Sequence, residues 1–284
     1  MATSTVQSRP EAELFDLIDV IRQWAIDSFI KSADKKLRKQ VGITERSIGS
    51  LGVELIWDDI VCWSETPNYA DTHSVRLPKC HALFTTAYRN GTDGVQEYNF
   101  RTDRSTRSTM EIEISKGFNS SREIGVKLQL PEQILEASAG FKQEISLSKA
   151  TRQSVDEEMS WGVDAHVEVQ PKSTANVQVN VIEHQMTCRF SVDTRLCGRI
   201  RAICMDGRKN NAFLMNVQTD LGGLIEFYLD KEKRSHPQKL SHVKVEGTAA
   251  PKTVVITTEG KCAFRFGVRQ EVEVTQVEPP YSAN

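Results

Sequence analysis

The chain has 284 residues, 36 basic and 38 acidic side chains and a net charge of -2. Charge so evenly balanced and so widely spread argues against the clustered basic face of a nucleic-acid binder. No apolar run approaches the roughly 20 residues of a membrane-spanning helix. Met1-Ala2-Thr3-Ser4-Thr5 shows neither a basic nor an apolar leader region. The expectation is a chain soluble as written, either cytoplasmic or released by a non-classical route, unless a leader lies outside it. The length suits one elongated β protein or two lobes.

Six cysteines stand at 62, 80, 188, 197, 204 and 262, without a Cys-x-x-Cys pair. That spacing disfavours a zinc ribbon or a thioredoxin-type site and is sparse for a secreted disulfide scaffold, so mostly free thiols are expected. Asn90-Gly91-Thr92 and Asn119-Ser120-Ser121 match the glycosylation pattern but read more simply as turns.

Ser8-Arg9-Pro10-Glu11 reads as a capping box. Leu14, Leu17, Ile18, Ile21, Trp24 and Ala25 then recur at helical spacing, predicting one helix to about Lys39 that stops before Gly42. Its acidic residues Asp16, Asp19 and Asp27 favour packing on the protein over a membrane-surface role. Lys35, Lys36, Arg38 and Lys39 read as a solvated helix end. After Gly42 come short runs rich in β formers: Val53 to Trp57, Ile60 to Trp63 and His81 to Tyr88, the last closed by a turn at Arg89 to Gly94. From Val95 onward strand signals follow one another, with Leu221-Gly222-Gly223 read as a glycine turn entering a strand. Val177, Val179 and Val181 share one parity, whereas Met186, Cys188, Phe190 and Val192 take the other. Such a switch within one strand predicts a bulge or a sharp twist.

No catalytic signature emerges. The Gly-x-Ser-x-Gly elbow, the His-Glu-x-x-His motif and the phosphate-loop frame are all absent from the sequence. The histidines at 73, 81, 166, 184, 236 and 242 lack ligand spacing, and Asp156-Glu157-Glu158 reads as a solvated edge rather than an acid-base or calcium cluster. No enzyme activity, cofactor or metal is expected.

The central segment carries the functional information. Ile124, Val126, Leu128 and Leu130 occupy alternate positions, separated by Gly125, Lys127 and Gln129. Pro131-Glu132-Gln133 reads as a turn. On the return limb Leu135, Ala137, Ala139, Phe141, Ile145 and Leu147 share one parity, while Lys142 and Glu144 take the other. Strand side chains alternate faces, so residues 122–148 are expected to form a hairpin with one apolar and one polar face. In a soluble monomer the apolar face must lie against the protein. Only helices and closed barrels satisfy their backbone in lipid, so a ring of such hairpins could span a membrane with the apolar set toward lipid. Lys127, Gln129, Lys142 and Glu144 would then face the lumen. An ordinary sheet with one buried face alternates too, and periodicity alone does not choose between the two.

From Ile112 to Arg201 the layout resembles the aerolysin-like β-pore-forming proteins, especially the epsilon-toxin and mosquitocidal-toxin branch. A strand into Ile114-Ser115-Lys116-Gly117 is followed by an amphipathic tongue at Gly125 to Leu147 and a Ser/Thr/Gln-rich connection. Val167-Glu168-Val169-Gln170-Pro171-Lys172-Ser173-Thr174 then precedes a long valine strand. The resemblance covers about a third of the chain, and the tongue departs from the family's Ser/Thr run in carrying Lys, Gln and Glu. It implies a mainly β, elongated antiparallel protein with long twisted strands, an insertion hairpin and an N-terminal helix. It further implies a membrane- and receptor-binding head at 1–105, a pore-forming module at 106–205 and completing strands at 206–284. The implied partners are a lipid membrane or a membrane receptor such as a glycan, and further copies of the chain in a membrane-associated oligomer. Trp57, Trp63, Tyr69 and Tyr88 are candidate receptor or membrane contacts, with a core role open for Trp57 and Trp63. The other reading is a non-lytic, lectin-like or storage module of the same fold.

Overall fold

The computed structural model describes residues 13–44, 47–76, 81–119, 124–136, 141–147, 151–235 and 240–278. The Ser8 to Glu11 box, Cys80, Ala137 and Ala139 lie outside these residues. In chain order the elements are β1 (Glu13–Phe15), α1 (Leu17–Ser32), α2 (Lys35–Val41), β2 (Leu51–Ile56), β3 (Ile60–Ser64), β4 (Asn68–Arg76), β5 (His81–Arg89) and β6 (Gln96–Phe118). They continue as β7 (Val126–Gln129), α3 (Glu132–Glu136), β8 (Glu144–Leu147), β9 (Arg152–Val169), β10 (Thr174–Asp206), β11 (Ala212–Asp220), α4 (Leu221–Ser235), β12 (Val243–Glu246) and β13 (Thr253–Val277). The protein is mainly β, with long strands in one large sheet, as the alternation predicts.

β10 organises that sheet. It has 33 residues, and a straight strand of that length would run about 110 Å at the usual rise. β5, β4, β3 and β2 pair along it in turn, each lying across the strand from β13 or β11. The β10–β13 ladder slips between Ile182 and Glu183. The extra residue is Val268 of β13, so the bulge lies on the partner strand and not on the strand whose parity switches. On one side of it Val177, Val179 and Val181 are buried; on the other, Met186, Cys188, Phe190 and Val192 are. One continuous strand thus turns its apolar side from one core to another. Buried Glu183 at the slip accepts from Arg265 Nε at 2.8 Å and Nη2 at 2.6 Å, so its carboxylate is not left unpaired.

Three apolar clusters follow. The largest lies under β7–β8 and includes Met186, Phe190, Phe264 and Leu128. A second joins Val177 and Val179 to Phe100, Val163 and Val167, where the β6–β9 pair packs on the main sheet. The third packs Phe29, Ala33 and Val41 of the helical end on Leu51 and Cys204.

The N-terminal helix is two helices. α1 buries Leu17, Ile21, Ala25 and Phe29, one residue per turn, and ends where Ala33 turns extended. Asp34 then caps α2, accepting from Leu37 N–H at 2.7 Å, and Gly42 closes it in the left-handed region at φ 72. The end before Gly42 is where the sequence puts it; the break at Ala33–Asp34 is not.

The stretch read as a glycine turn after Asp220 is α4. Asp220 accepts from Gly223 N–H at 2.8 Å as an N-cap, and Leu221, Leu224, Ile225 and Leu229 are buried at helical spacing. Gly222 is required by space rather than by strand geometry, since a Cβ there would meet the Lys252 carbonyl at 2.5 Å.

Gly198 marks the hand-over of β10 from β13 to β11. Its φ is +133, and a Cβ would lie 2.0 Å from the Asp59 carbonyl. Gly198→Ala is therefore expected to cost about 2 kcal/mol or more through strain and displacement of that carbonyl. A denaturation midpoint lowered at unchanged m-value would report it. At the strand's far end Asp206, 1% exposed, accepts from Ser50 Oγ at 2.7 Å and from Arg208 N–H at 3.1 Å. These hydrogen bonds, Ser50 foremost, hold its carboxyl below the usual range. A depressed carboxyl stabilises the fold above its unfolded pKa and loses that contribution as pH falls through the folded value. Asp206→Asn should be less stable than the parent at neutral pH. The difference should close below about pH 4, as followed by urea unfolding across pH.

Candidate functional site

Between β6 and β9 the chain leaves the large sheet and forms a separate ribbon. β7 and β8 pair antiparallel as a two-stranded sheet of their own, with Val126 opposite Leu147, Lys127 opposite Ser146, Leu128 opposite Ile145 and Gln129 opposite Glu144. Leu130 N–H donates to the Gln143 carbonyl at 3.0 Å, adding one further link. The expected Pro131 to Gln133 turn is the start of α3, in which Ile134 N–H returns to the Pro131 carbonyl at 3.0 Å. Leu135 therefore sits on a helix and not on a strand. Proline before an acidic residue suits the first turn of a helix, and Leu130, Ile134 and Leu135 stand at helical spacing.

The two faces are distinct. Ile124, Val126, Leu128, Leu130, Ile134 and Leu147 are each no more than 5% exposed, inside the largest apolar cluster. Leu135, Phe141 and Ile145 are half-buried against the same cluster, with Phe141 edge-on to Phe264 at 6.2 Å. Lys127, Gln129, Lys142 and Glu144 are exposed. Lys127 Nζ lies 3.2 Å from Glu144 Oε1 across the ribbon, a pair whose exposure leaves it worth little to stability.

Few polar links join ribbon to body. Lys127 N–H donates to Ser64 Oγ at 3.1 Å, and the Tyr69 hydroxyl donates to the Gln129 carbonyl. Burial pushes the Tyr69 phenol well above its ordinary range, so it stays protonated and able to donate. Burial likewise raises the Cys62 thiol, although the Gly125 N–H beside it opposes this. Beneath the ribbon Cys188 and Cys262 are direct partners in the β10–β13 ladder and are free thiols. Their mutual hydrogen bond and the burial of Cys262 push the Cys262 thiol up.

The remaining sequence candidates are scattered. Trp57 is half-buried against the main core, and Tyr88 is half-buried against the second cluster, stacked on Tyr98 at 4.8 Å. Trp63 is 41% exposed beside Val61, 64% exposed, on the outward face of β3. Asp156, Glu157 and Glu158 lie on β9, where Asp156 approaches Arg107 at 3.6 Å and Glu158 accepts from Ser105. On the exposed face of β6 and β9, Glu97, His166 and Glu168 bring three ligand-type atoms within 4.8 Å of one another, with His166 Nδ1 held 2.8 Å from Asn99 Oδ1. No helix among the described residues is long and apolar enough to cross a membrane.

No protein-family model and no curated protein matches the chain. Among solved structures, a non-toxic crystal protein from Bacillus thuringiensis overlays on 94% of this chain and 98% of its own, with a TM-score of 0.50 at 11% identity. The parasporin-2 toxin of Bacillus thuringiensis that recognizes cancer cells overlays on 78% of this chain and 77% of its own at TM-score 0.41 and 14% identity. An aerolysin-like protein of Bombina maxima covers 79% of this chain and 98% of its own at TM-score 0.24 and 13% identity. The fold is shared with the non-toxic crystal protein, and its mainly β build with long strands in a large sheet is what the aerolysin-like resemblance implies.

Within this fold the sequence identified the two-faced segment but missed three contributors. Ile134 was lost because its stretch was read as a turn, though the helical spacing noted above could have found it. Ser64 carries no local signal, since its role comes from β3 lying beside β7. Tyr69 was placed among surface contacts, whereas its hydroxyl tethers the ribbon. Tyr69→Phe keeps the ring and removes the tether. Hydrogen exchange at residues 126–130 and 143–147 should quicken about fivefold, matching the loss of one hydrogen bond of about 1 kcal/mol, while the global unfolding midpoint moves little.

Proposed function

We propose that the protein binds membranes, oligomerises and converts the Ile124 to Leu147 ribbon into strands of a transmembrane β-barrel. The observation that carries this reading is the ribbon itself. Its hydrogen-bonded pairing is separate from the large sheet, its apolar face rests on the body, and long strands β6 and β9 flank it. Apolar side chains can exchange a protein cover for acyl chains at small net cost, whereas an open strand edge in lipid cannot be tolerated. Conversion therefore follows assembly. β7 and β8 have four residues each, against the about 9 to 11 that span a bilayer. Insertion thus requires α3 to unwind and the ribbon to lengthen through its neighbours. Ile124, Val126, Leu128, Leu130, Leu135, Ala137, Ala139, Phe141, Ile145 and Leu147 then meet lipid. Lys127, Gln129, Lys142 and Glu144 line water.

In this reading residues up to about 105 supply the head that meets membrane or receptor, residues 106–205 the pore-forming module and residues 206–284 the completing body. Of the aromatic candidates Trp63, exposed beside Val61, fits a receptor or membrane contact best. The aerolysin-like fold supports a non-enzymatic role.

A second reading has one observation in its favour: the overlay with a TM-score of 0.50 is on a protein described as a non-toxic crystal protein. Here the ribbon stays docked and the protein binds without lysing. A disulfide between Ser64→Cys and Lys127→Cys, placed where Lys127 N–H meets Ser64 Oγ at 3.1 Å, decides between them. Locked protein should bind vesicles without releasing dye or forming detergent-resistant oligomers, and reduction should restore both. Release that persists with the lock closed refutes ribbon conversion. Binding without release in every state supports the non-lytic reading.

A further inference from the structure

The chain is nearly neutral overall, yet its helical end is not. Lys35, Lys36 and Lys39 stand on the exposed side of α2, since Leu37 and Val41 take the inward side. The β10–β11 connection folds against the same helix end: Arg208 Nη2 donates to the Gln40 carbonyl and Arg208 Nε to Ser50 Oγ at 3.0 Å. Lys209 follows it, exposed. Of the described acidic groups at this end two are engaged, while Glu54 stays exposed opposite Ile203 on β2. Asp34 caps α2, and Asp206 is 1% exposed and accepts from Ser50 and the Arg208 N–H. Sequence distance hides the cluster, because residues 35–39 and 208–209 meet only in the fold.

Apolar side chains project from the same end. Ile48, in the loop that pairs back to Val41 through Ser50 N–H at 2.8 Å, is 45% exposed. Phe213 is 65% exposed. It faces Met205 across the β10–β11 ladder, and Met205 in turn faces Gly52 of β2. α1 and α2 pack on the other side of these strands, through Cys204, Leu51 and Leu214. The Phe213 side is uncovered, with Ile203 and Met205 half-exposed beside it. An exposed aromatic ring close to Lys209, at the end of the molecule that also carries the α2 lysines, matches a bilayer surface, where the ring enters the headgroup boundary and the ammonium groups meet anionic lipids.

We infer that this basic, aromatic end of the molecule docks on anionic lipid bilayers. The role rests on the membrane-binding part of the proposed function and gives it a place and a lipid class, distinct from the ribbon that inserts. The favoured occupant is a lipid surface because charge and apolar projection coincide. A duplex nucleic acid would use the charge and leave Phe213 idle.

The test is co-flotation of the full chain with vesicles of phosphatidylcholine alone and of phosphatidylcholine with phosphatidylserine. Parent protein should partition at least about tenfold more onto the anionic vesicles, and raised salt should remove the difference. The triple variant Lys35→Glu, Lys36→Glu, Lys39→Glu should lose that preference. Phe213→Ser should weaken binding on anionic vesicles about tenfold without moving the unfolding midpoint, since the ring is largely exposed. Equal binding to both vesicle types, parent-like binding by both variants, or Phe213-dependent self-association or oligonucleotide binding without vesicle binding would overturn the inference. Flotation is read without dye release, so a chain that docks but never leaks refutes the pore and leaves the docking end standing. A leak from vesicles of phosphatidylcholine alone, unchanged in both variants, does the reverse.

Discussion

The placement of the ribbon depends on how its apolar face is covered. Two four-residue strands and a short helix cannot hold themselves together in water, because an isolated hairpin is marginal at best. Ile124, Val126, Leu128, Leu130, Ile134 and Leu147 remove their surface from water by resting on Phe264, Phe190 and Met186 of the long strands. At about 1.5–3 kcal/mol for each fully buried aliphatic side chain, the cover outweighs any polar contact at the site. Among the described residues the polar links to the body are few: hydroxyls from Tyr69 and Ser64, a long bond from Gln153 Nε2 to the Ser146 carbonyl at 3.5 Å, and the Gly125 N–H at the Cys62 thiol. The attachment is therefore mostly non-directional. Such an attachment is suited to exchange, since acyl chains offer the same kind of surface without demanding matched hydrogen bonds.

The long strands make that arrangement possible by changing which face they bury. β10 presents Val177 and Val179 to the β6–β9 pair, slips at Ile182–Glu183, and then presents Met186, Cys188 and Phe190 to the core under the ribbon. The extra residue at the slip is Val268 of β13, so β10 runs on unbroken and its odd and even residues face opposite sides throughout. The single strand thus serves two cores at different points along its length, and Arg265 neutralises the Glu183 carboxylate buried between them. β6 and β9 pair through 18 consecutive positions and end where the ribbon begins, so the insert hangs from their common end.

What could be read from the sequence was whatever repeats locally. Alternation in 124–130 and 163–169, and the parity change between Val181 and Met186, depend on the two-residue period of a strand and survive in the fold. Features fixed by partners distant in sequence were not legible. α4 was hidden because Gly222 and Gly223 suggest a turn, while the reason for glycine is the Lys252 backbone on another segment. The break between α1 and α2 follows from Ala33 turning extended and Asp34 capping anew, and the continuous run of helix formers masks it. At the site, the apolar set was legible through Leu130, but α3 replaced the expected turn because a one-turn helix buries Ile134 as a turn could not.

The same limit explains the basic end. Lys35, Lys36 and Lys39 read alone as the solvated end of a helix, and Arg208 with Lys209 reads as an ordinary turn. Only the hydrogen bonds from Arg208 to Gln40 and Ser50 bring the two groups together, at a place where Phe213 has no cover. This end packs through the third apolar cluster, whereas the ribbon rests on the first. Charge lost at α2 need not disturb Leu128, and a ribbon locked at Ser64 need not disturb Phe213. In the proposed function attachment and conversion would thus rest on separate physical supports, one electrostatic and salt-sensitive, the other apolar and salt-tolerant, and raising ionic strength should separate the first from the second.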